Sequence, residues 1–275
     1  MPIDDKYVFL LNRLKSLGSA VLAYSGGVDS TFLLCALKNS GIEKILAVTA
    51  SSPSVPADDL KTASAMAAEM NVEHLVVESA EMSDENYLKN PTDRCFYCKS
   101  GLFKKLSEIA NEKGFSHLLD GSTADDAGDY RPGLKAREKH GVLSPLMEAG
   151  LGKAEIRALS RLKNLATWDR PASPCLSSRL PYGERITPEA LSMIEQAECA
   201  LKALGFRELR VRKSGDTARI EVPADEISRF MDNGVRVGIV DKLRAIGFLY
   251  VTLDLEGFKS GKLNRVIDGG RGTRS

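Results

Sequence analysis

Excess charge of either sign is missing from this chain: 38 Lys and Arg stand against 37 Asp and Glu, a formal net charge of +1 over 275 residues. That excludes a broad basic footprint for nucleic acid, although not a local basic face. Long apolar runs are missing too, and nothing approaches the ~20 residues of a membrane-spanning helix. The opening Met1-Pro2-Ile3-Asp4-Asp5-Lys6 carries two acids and lacks a secretory pattern. The expected location is the cytoplasm, with no membrane partner. No internal repeat or low-complexity segment is visible, which excludes a solenoid. Five cysteines in such a setting point to metal, catalysis or burial before disulfides.

What is present is an ordinary globular composition, 43% hydrophobic and 27% charged, on a chain long enough for two domains. Apolar periodicity predicts helices over Asp5–Leu17, Thr31–Lys38, Asp58–Met70 and Ser100–Lys113. Buried strands are expected at Ala20–Ala23, Lys44–Thr49, Glu73–Glu78 and Ser116–Gly121. Strands alternating with helices imply an α/β domain with a doubly wound parallel sheet, whose ligands sit beyond the carboxyl ends of the strands. The loops after Tyr24, Thr49 and Asp120 are therefore expected to converge. A helix over Lys153–Asn164 leads into the Pro-rich stretch Asp169–Pro174. Beyond it the pattern changes to a smaller α+β module with antiparallel character. It has a helix Pro188–Leu204, a hairpin turning at Ser214-Gly215-Asp216, a helix from Ala224 and a strand Leu249–Leu255. The expected division is 1–180, 181–265 and a disordered tail 266–275.

The most informative stretch is Ser25-Gly26-Gly27-Val28-Asp29-Ser30, placed between the first strand and a helix. Such a junction aims backbone N–H groups and a positive helix end at one point. Gly26 and Gly27 let the backbone approach a phosphate, and Ser25 and Ser30 add hydroxyl donors. No lysine follows the glycines, so this is not the Gly-x-x-x-x-Gly-Lys loop of γ-phosphoryl transfer. After the fourth strand, Asp120-Gly121-Ser122-Thr123-Ala124-Asp125-Asp126 brings Asp125 or Asp126 near that loop. Either carboxylate suits Mg²⁺ on a triphosphate, or an Asx-type helix cap. Arg131 is a candidate phosphate or carboxylate contact, or else a solvated side chain.

Cys95-Phe96-Tyr97-Cys98 at a helix start fits a redox dithiol, half a zinc site, or two ligands of an iron–sulfur cluster. A third cysteine, Cys175, stands in Pro174-Cys175-Leu176-Ser177-Ser178-Arg179, in the segment joining the domains. Cys35 and Cys199 lie inside helical patterns and read as small apolar residues. No histidine stands beside these three thiols, so no fourth zinc ligand is obvious. A [4Fe–4S] cluster on three cysteines would leave one iron open to sulfide. In Leu209-Arg210-Val211-Arg212, alternation packs Leu209 and Val211 inward and puts Arg210 and Arg212 on the other face. Two guanidinium groups there suit a phosphate, or else form a solvated strand face. Arg179 is placed to offset charge beside Cys175. Glu198 and Glu221 read as surface carboxylates.

The Ser25–Ser30 loop resembles the pyrophosphate loop of ATP pyrophosphatases, which split ATP between the α and β phosphates. With the Asp120–Asp126 stretch, Tyr130-Arg131-Pro132-Gly133 and above all Pro174–Gly183, nearly the whole chain is similar to the LarE family of ATP-dependent sulfur transferases in nickel-pincer cofactor synthesis. The resemblance implies an adenine nucleotide α-hydrolase-like fold, ATP, Mg²⁺ and a [4Fe–4S] cluster. It implies adenylation of the carboxylates of pyridinium-3,5-biscarboxylic acid mononucleotide and their conversion to thiocarboxylates. Asp29 and Ser30 are expected to help hold the pyrophosphate; Cys175 matches the family's sulfur-handling cysteine, and Arg210 and Arg212 match the arginines that bind substrate phosphate. In one branch the cysteine matching Cys175 is alone and surrenders its own sulfur. Cys95 and Cys98 instead match the branch whose three cysteines hold a cluster that relays an extra sulfide. The resemblance also implies an external sulfur donor and a homo-oligomer of trimer-based hexamer type. A cluster-dependent tRNA thiolase, a nucleotide-binding module with a structural metal, and an amide-forming pyrophosphatase remain as alternatives. The near-neutral charge weighs against the first, and the cysteines against the last.

Overall fold

The structure, a computed structural model, describes residues 1–128 and 132–267. The expectations for Tyr130 and Arg131, and for the tail beyond residue 267, lie outside the described residues. The chain divides into two compact units: Met1–Tyr87 with Asp93–Ser173, and Leu88–Thr92 with the chain from Pro174 onward.

The first unit runs α1 (Ile3–Lys15), β1 (Ser19–Ala23), α2 (Val28–Ser40), β2 (Lys44–Ser51), α3 (Ala57–Glu69) and β3 (His74–Glu78). After α4 (Glu85–Leu88), at the unit boundary, come α5 (Arg94–Lys113), β4 (His117–Leu119), α6 (Pro132–Lys139), α7 (Pro145–Glu148) and α8 (Lys153–Leu162). The four strands form one parallel sheet in the order β3-β2-β1-β4. β1 is central, and its side chains alternate between two cores. Ala20 and Leu22 join Leu10, Leu14, Phe32 and Leu33 on one face, whereas Val21 joins Leu46, Phe103 and Leu106 on the other. Burial on both faces explains why the strand reads as an unbroken apolar run. The sheet is α/β with helices on both sides, as expected. The order reverses between β1 and β4, so the crevice beyond their carboxyl ends is the switch point where such sheets take ligands.

Boundaries follow local chemistry. α2 stops at Gly41 and α5 at Gly114, both left-handed with φ of 74° and 70°. α5 starts six residues earlier than its apolar period indicates, so both Cys95 and Cys98 lie in its first turns. The helices α6 and α7 carried no sequence expectation. They are only 8 and 4 residues long, too short for periodicity to resolve.

The second unit holds α9 (Pro188–Lys202), β5 (Arg210–Ser214), β6 (Thr217–Glu221), α10 (Asn233–Ile246) and β7 (Tyr250–Leu253). Two differences from expectation stand out. The helix from Ala224 is a 3-10 stretch to Met231, with α10 beginning anew at Asn233. The sheet is mixed, since β5 and β6 are antiparallel but β7 joins β6 in parallel. The α10 crossover permits this, because parallel strands need a long connection. Leu201, Phe206, Val211, Ile220, Phe230 and Leu243 form its core. The segment Leu88–Thr92 belongs here through Asn90, whose Nδ2 donates to Pro181 O at 2.7 Å and whose carbonyl accepts Gly183 N–H at 2.9 Å. No helix among the described residues is long and apolar enough to cross a membrane.

Phe32 is fully buried in the α1/α2 face of the first core. Phe32→Ala is expected to destabilise this unit by about 3–5 kcal/mol in urea unfolding, the usual range for a deleted core aromatic.

Candidate active site

The loop after β1 is built around one left-handed residue. Tyr24 still pairs with β2 through its N–H to Val48 O at 2.8 Å. The chain then turns at Gly26, φ +70°, and enters α2 at Val28. A Cβ on Gly26 would lie 2.8–2.9 Å from the N, Cα and Cβ of Ala63 in α3. Backbone cannot yield there, so only glycine fits. Ser25 and Ser30 stitch the turn, with their hydroxyls 3.0 Å apart and Ser25 Oγ accepting Gly27 N–H at 3.3 Å. The hydroxyls expected as phosphate donors thus also define the loop. Gly27 offers no side-chain cap, and the first helical bond is Thr31 N–H to Gly27 O at 2.9 Å. The amides of Val28, Asp29 and Ser30 precede that bond and converge on a positive helix end, a phosphate seat.

The loop after β4 closes on this turn. A Cβ on Gly121 would meet Ser30 N at 3.1 Å. Asp120 is buried and takes Ser122 Oγ at 2.8 Å and Ser144 Oγ at 2.5 Å, which fixes the loop's direction. Asp125 Oδ2 accepts Lys153 N–H at 2.5 Å at the start of α8, and Asp126 Oδ2 accepts Thr123 N–H at 2.9 Å. Both expected Mg²⁺ candidates therefore serve as caps. Burial is the main cause that pushes the Asp29 carboxyl above the usual range, with Lys153 opposing and Asp126 adding to it. Asp29 is the carboxylate of this cluster that burial destabilises as an anion, so its environment fits a cation or a cationic partner. Lys153 Nζ stands 3.5 Å from Asp126 Oδ1. Lys153 was missed at the sequence level, because 124 positions separate it from Asp29 and no local pattern marks the pairing.

Cys95 is exposed and Cys98 half-buried, three residues apart in the first turns of α5 and so on neighbouring positions of its surface. Cys98 Sγ donates to Glu81 Oε2 at 3.0 Å. Glu81, also unforeseen, is buried beyond β3 and takes Ser52 Oγ at 2.6 Å, Ser79 Oγ at 3.0 Å and Ser54 Oγ. No disulfide occurs among the described residues. Cys35 is half-buried, and burial pushes its thiol up. Cys199 is exposed on α9, which corrects its reading as an apolar filler.

In the second unit, half-buried Cys175 begins the 3-10 turn Leu176–Arg179. Arg179 is only 2% exposed and folds back over that turn. Its Nη1 donates to Pro174 O at 2.6 Å and Cys175 O at 3.1 Å, and its Nε and Nη2 grip Glu198 at 2.9 and 3.1 Å. Arg212 Nε donates to Glu221 at 2.6 Å, and its Nη1 to Ser178 O at 3.0 Å. Glu198 and Glu221 are thus buried counter-charges, not surface carboxylates, and this overturns the sequence expectation. Their burial is possible because each meets a guanidinium in a two-point or networked geometry. Arg210 is buried as well, over the Phe258 ring at 5.0 Å, and burial together with Arg179 lowers it to about 10. The solvated-face alternative for Arg210 and Arg212 is therefore excluded.

Among the described residues no group of three or more His, Cys, Asp and Glu forms a metal site. Cys95 and Cys98 belong to the first unit and Cys175 to the second. As soft thiol donors all three suit iron–sulfur or zinc chemistry.

Residues 12–170 match the asparagine synthase family model, which covers the pyrophosphate loop and its whole sheet. The chain is 38% identical to the pyridinium-3,5-bisthiocarboxylic acid mononucleotide synthase of Lactiplantibacillus plantarum, over 96% of both chains. The chain belongs to the LarE family. Uncharacterized proteins of Synechocystis (44% identity, 96% of this chain and 99% of that one) and Methanocaldococcus jannaschii (29%, 93% and 98%) are similar over their full length. Those spans include both the first-unit loop and the LarE-like Cys175 turn, so the likeness covers both units.

Gly26→Ala is expected to abolish nucleotide binding by calorimetry, while Gly27→Ala, whose added Cβ meets only Ser25 Oγ at 3.3 Å, weakens it less. For Asp29 the raised folded pKa means that the folded state holds its proton to higher pH than the unfolded chain. Stability is then lost as pH rises from the ordinary carboxylate range through the raised value. Asp29→Asn is therefore expected to raise Tm at neutral pH in the ligand-free protein and to weaken Mg²⁺–nucleotide binding. An unchanged Tm would contradict the burial argument.

Proposed function

We propose that this protein is an ATP-dependent sulfur transferase that adenylates the carboxylates of pyridinium-3,5-biscarboxylic acid mononucleotide and converts them to thiocarboxylates, releasing AMP and pyrophosphate. The observation that carries the reading is a lysine-free phosphate seat at Gly26–Ser30 on the same chain as the Arg179-wrapped Cys175 turn. The L. plantarum relative's name supports it.

The amides of Val28, Asp29 and Ser30 hold the pyrophosphate portion of ATP. As the substrate carboxylate bonds to the α-phosphorus, the α–β bridging bond breaks, and the helix end stabilises the departing pyrophosphate. Asp29 holds Mg²⁺, which when bound neutralises the phosphates. Lys153 supplies fixed positive charge beside them. Asp125 and Asp126 act through their caps, keeping α8 and Lys153 against the loop. Arg210 and Arg212 bind the substrate's phosphate, oriented by Glu198 and Glu221. Arg179 positions Cys175 by holding its carbonyl. Cys95, Cys98 and Cys175 would hold a [4Fe–4S] cluster, which when bound would supply anionic sulfide. Sulfur that arrives already anionic needs no general base in the active site. An external sulfur donor replenishes it, and the enzyme acts in the cytoplasm as a homo-oligomer, the hexamer that the family resemblance implies.

Protein reconstituted anaerobically with iron and sulfide is expected to show cluster absorbance and repeated turnover. Cys95→Ala, Cys98→Ala and Cys175→Ala should each lose turnover beyond a single equivalent. A single equivalent from the wild type, unchanged in the first two variants and lost only in Cys175→Ala, would replace the relay by a sacrificial cysteine.

A further inference from the structure

The segment Leu165–Ser173 closes the first unit and leads in sequence to Cys175. Arg170 ties it to the nucleotide loop, and Arg157 of α8 holds it from the other side. Arg170 Nη2 pairs with buried Asp59 Oδ1 of α3 at 2.9 Å, and its Nη1 points to Gly26 O at 3.4 Å. Gly26 is the residue whose left-handed turn is wedged against Ala63, one helical turn beyond Asp59 on α3. Arg157 on α8 grips the same segment from the other side, its Nη1 on Trp168 O and Nη2 on Arg170 O, both at 2.8 Å. Arg157 also acts electrostatically on Asp29. Arg170 thus joins the segment to both the loop and α3, although 144 positions separate Gly26 from Arg170.

We propose that Arg170 is a positioning residue that couples occupancy of the nucleotide loop to the Leu165–Ser173 segment. Arg170 bridges two acceptors with one planar fork, a task lysine cannot reproduce. Phosphate on the Val28–Ser30 amides holds the Gly26 peptide in one orientation. The Gly26 carbonyl then presents a fixed acceptor, and the segment bearing Arg170 is held with it. The coupling is reciprocal, so a segment held by Arg170 and Arg157 also favours nucleotide. The inference rests on the ATP reading of the loop and extends it to the chain that precedes the sulfur-handling cysteine.

Trp168 is the only tryptophan in the chain, half-exposed beneath the Arg161 guanidinium at 5.0 Å, and so reports on this segment alone. The test uses the full-length protein with Mg²⁺ and α,β-methylene-ATP, which the reaction cannot cleave. Calorimetry reads binding, Trp168 emission reads the segment, and amide exchange reads peptides spanning residues 165–173. In the wild type, saturation is expected to shift the emission and slow exchange. In Arg170→Ala, binding should weaken by roughly 10-fold, a coupling of usual size, and the Trp168 shift should vanish even at saturation. Arg170→Lys should fall between, and Asp59→Asn should reduce the shift by a separate route. An equal shift in wild type and Arg170→Ala would overturn the coupling, as would wild-type binding with no response of Trp168 or exchange. No wild-type binding at all would overturn the ATP reading together with it.

Discussion

The contact on which the rest depends is backbone against backbone: Gly26 of the loop against Ala63 of α3. It leaves no space for a side chain and forces a left-handed turn between β1 and α2. From that turn follows the direction of the first α2 amides, and from their direction the presence of an anion seat at the switch point of the sheet. Gly121 makes the reciprocal approach from β4. Gly26 packs against α3 and Gly121 against the start of α2, each at a place where a Cβ would meet backbone.

The second unit solves a different problem. It carries Cys175 at the start of a four-residue 3-10 turn, too short to be stable by itself. Arg179 folds back over that turn and donates to the Pro174 and Cys175 carbonyls, and Glu198 balances the buried charge. Arg212 and Glu221 extend the network to Ser178 on the same turn. Removing one partner would leave an uncompensated buried ion, which is far more costly than any gain from the pair. The arrangement fixes the backbone on both sides of Cys175.

The sheet was legible because β1, β2 and β4 are buried on both faces, so their apolar runs survive any local ambiguity. The junction of β1, the glycine turn and α2 was legible because strand, glycines and helix are contiguous. The mixed sheet was not, since one parallel pairing depends on where α10 returns the chain. The burial of Glu198, Glu221, Arg179 and Arg210 was hidden for a related reason: residue type argues for exposure, and only partners distant in sequence reverse it. The same blindness hid Lys153, Arg157 and Glu81. The hydrogen bonds of Asp125 to Lys153 N–H and of Asp126 to Thr123 N–H join residues that no short sequence pattern pairs.

The central claim is that a carboxylate is made electrophilic by cleavage of ATP between its α and β phosphates. The direct measurement is exchange of labelled pyrophosphate into ATP, with and without pyridinium-3,5-biscarboxylic acid mononucleotide and with no sulfur source. Exchange that requires the mononucleotide and disappears in Gly26→Ala is the result the account requires. Release of ADP and phosphate, or exchange indifferent to the carboxylate, would contradict it.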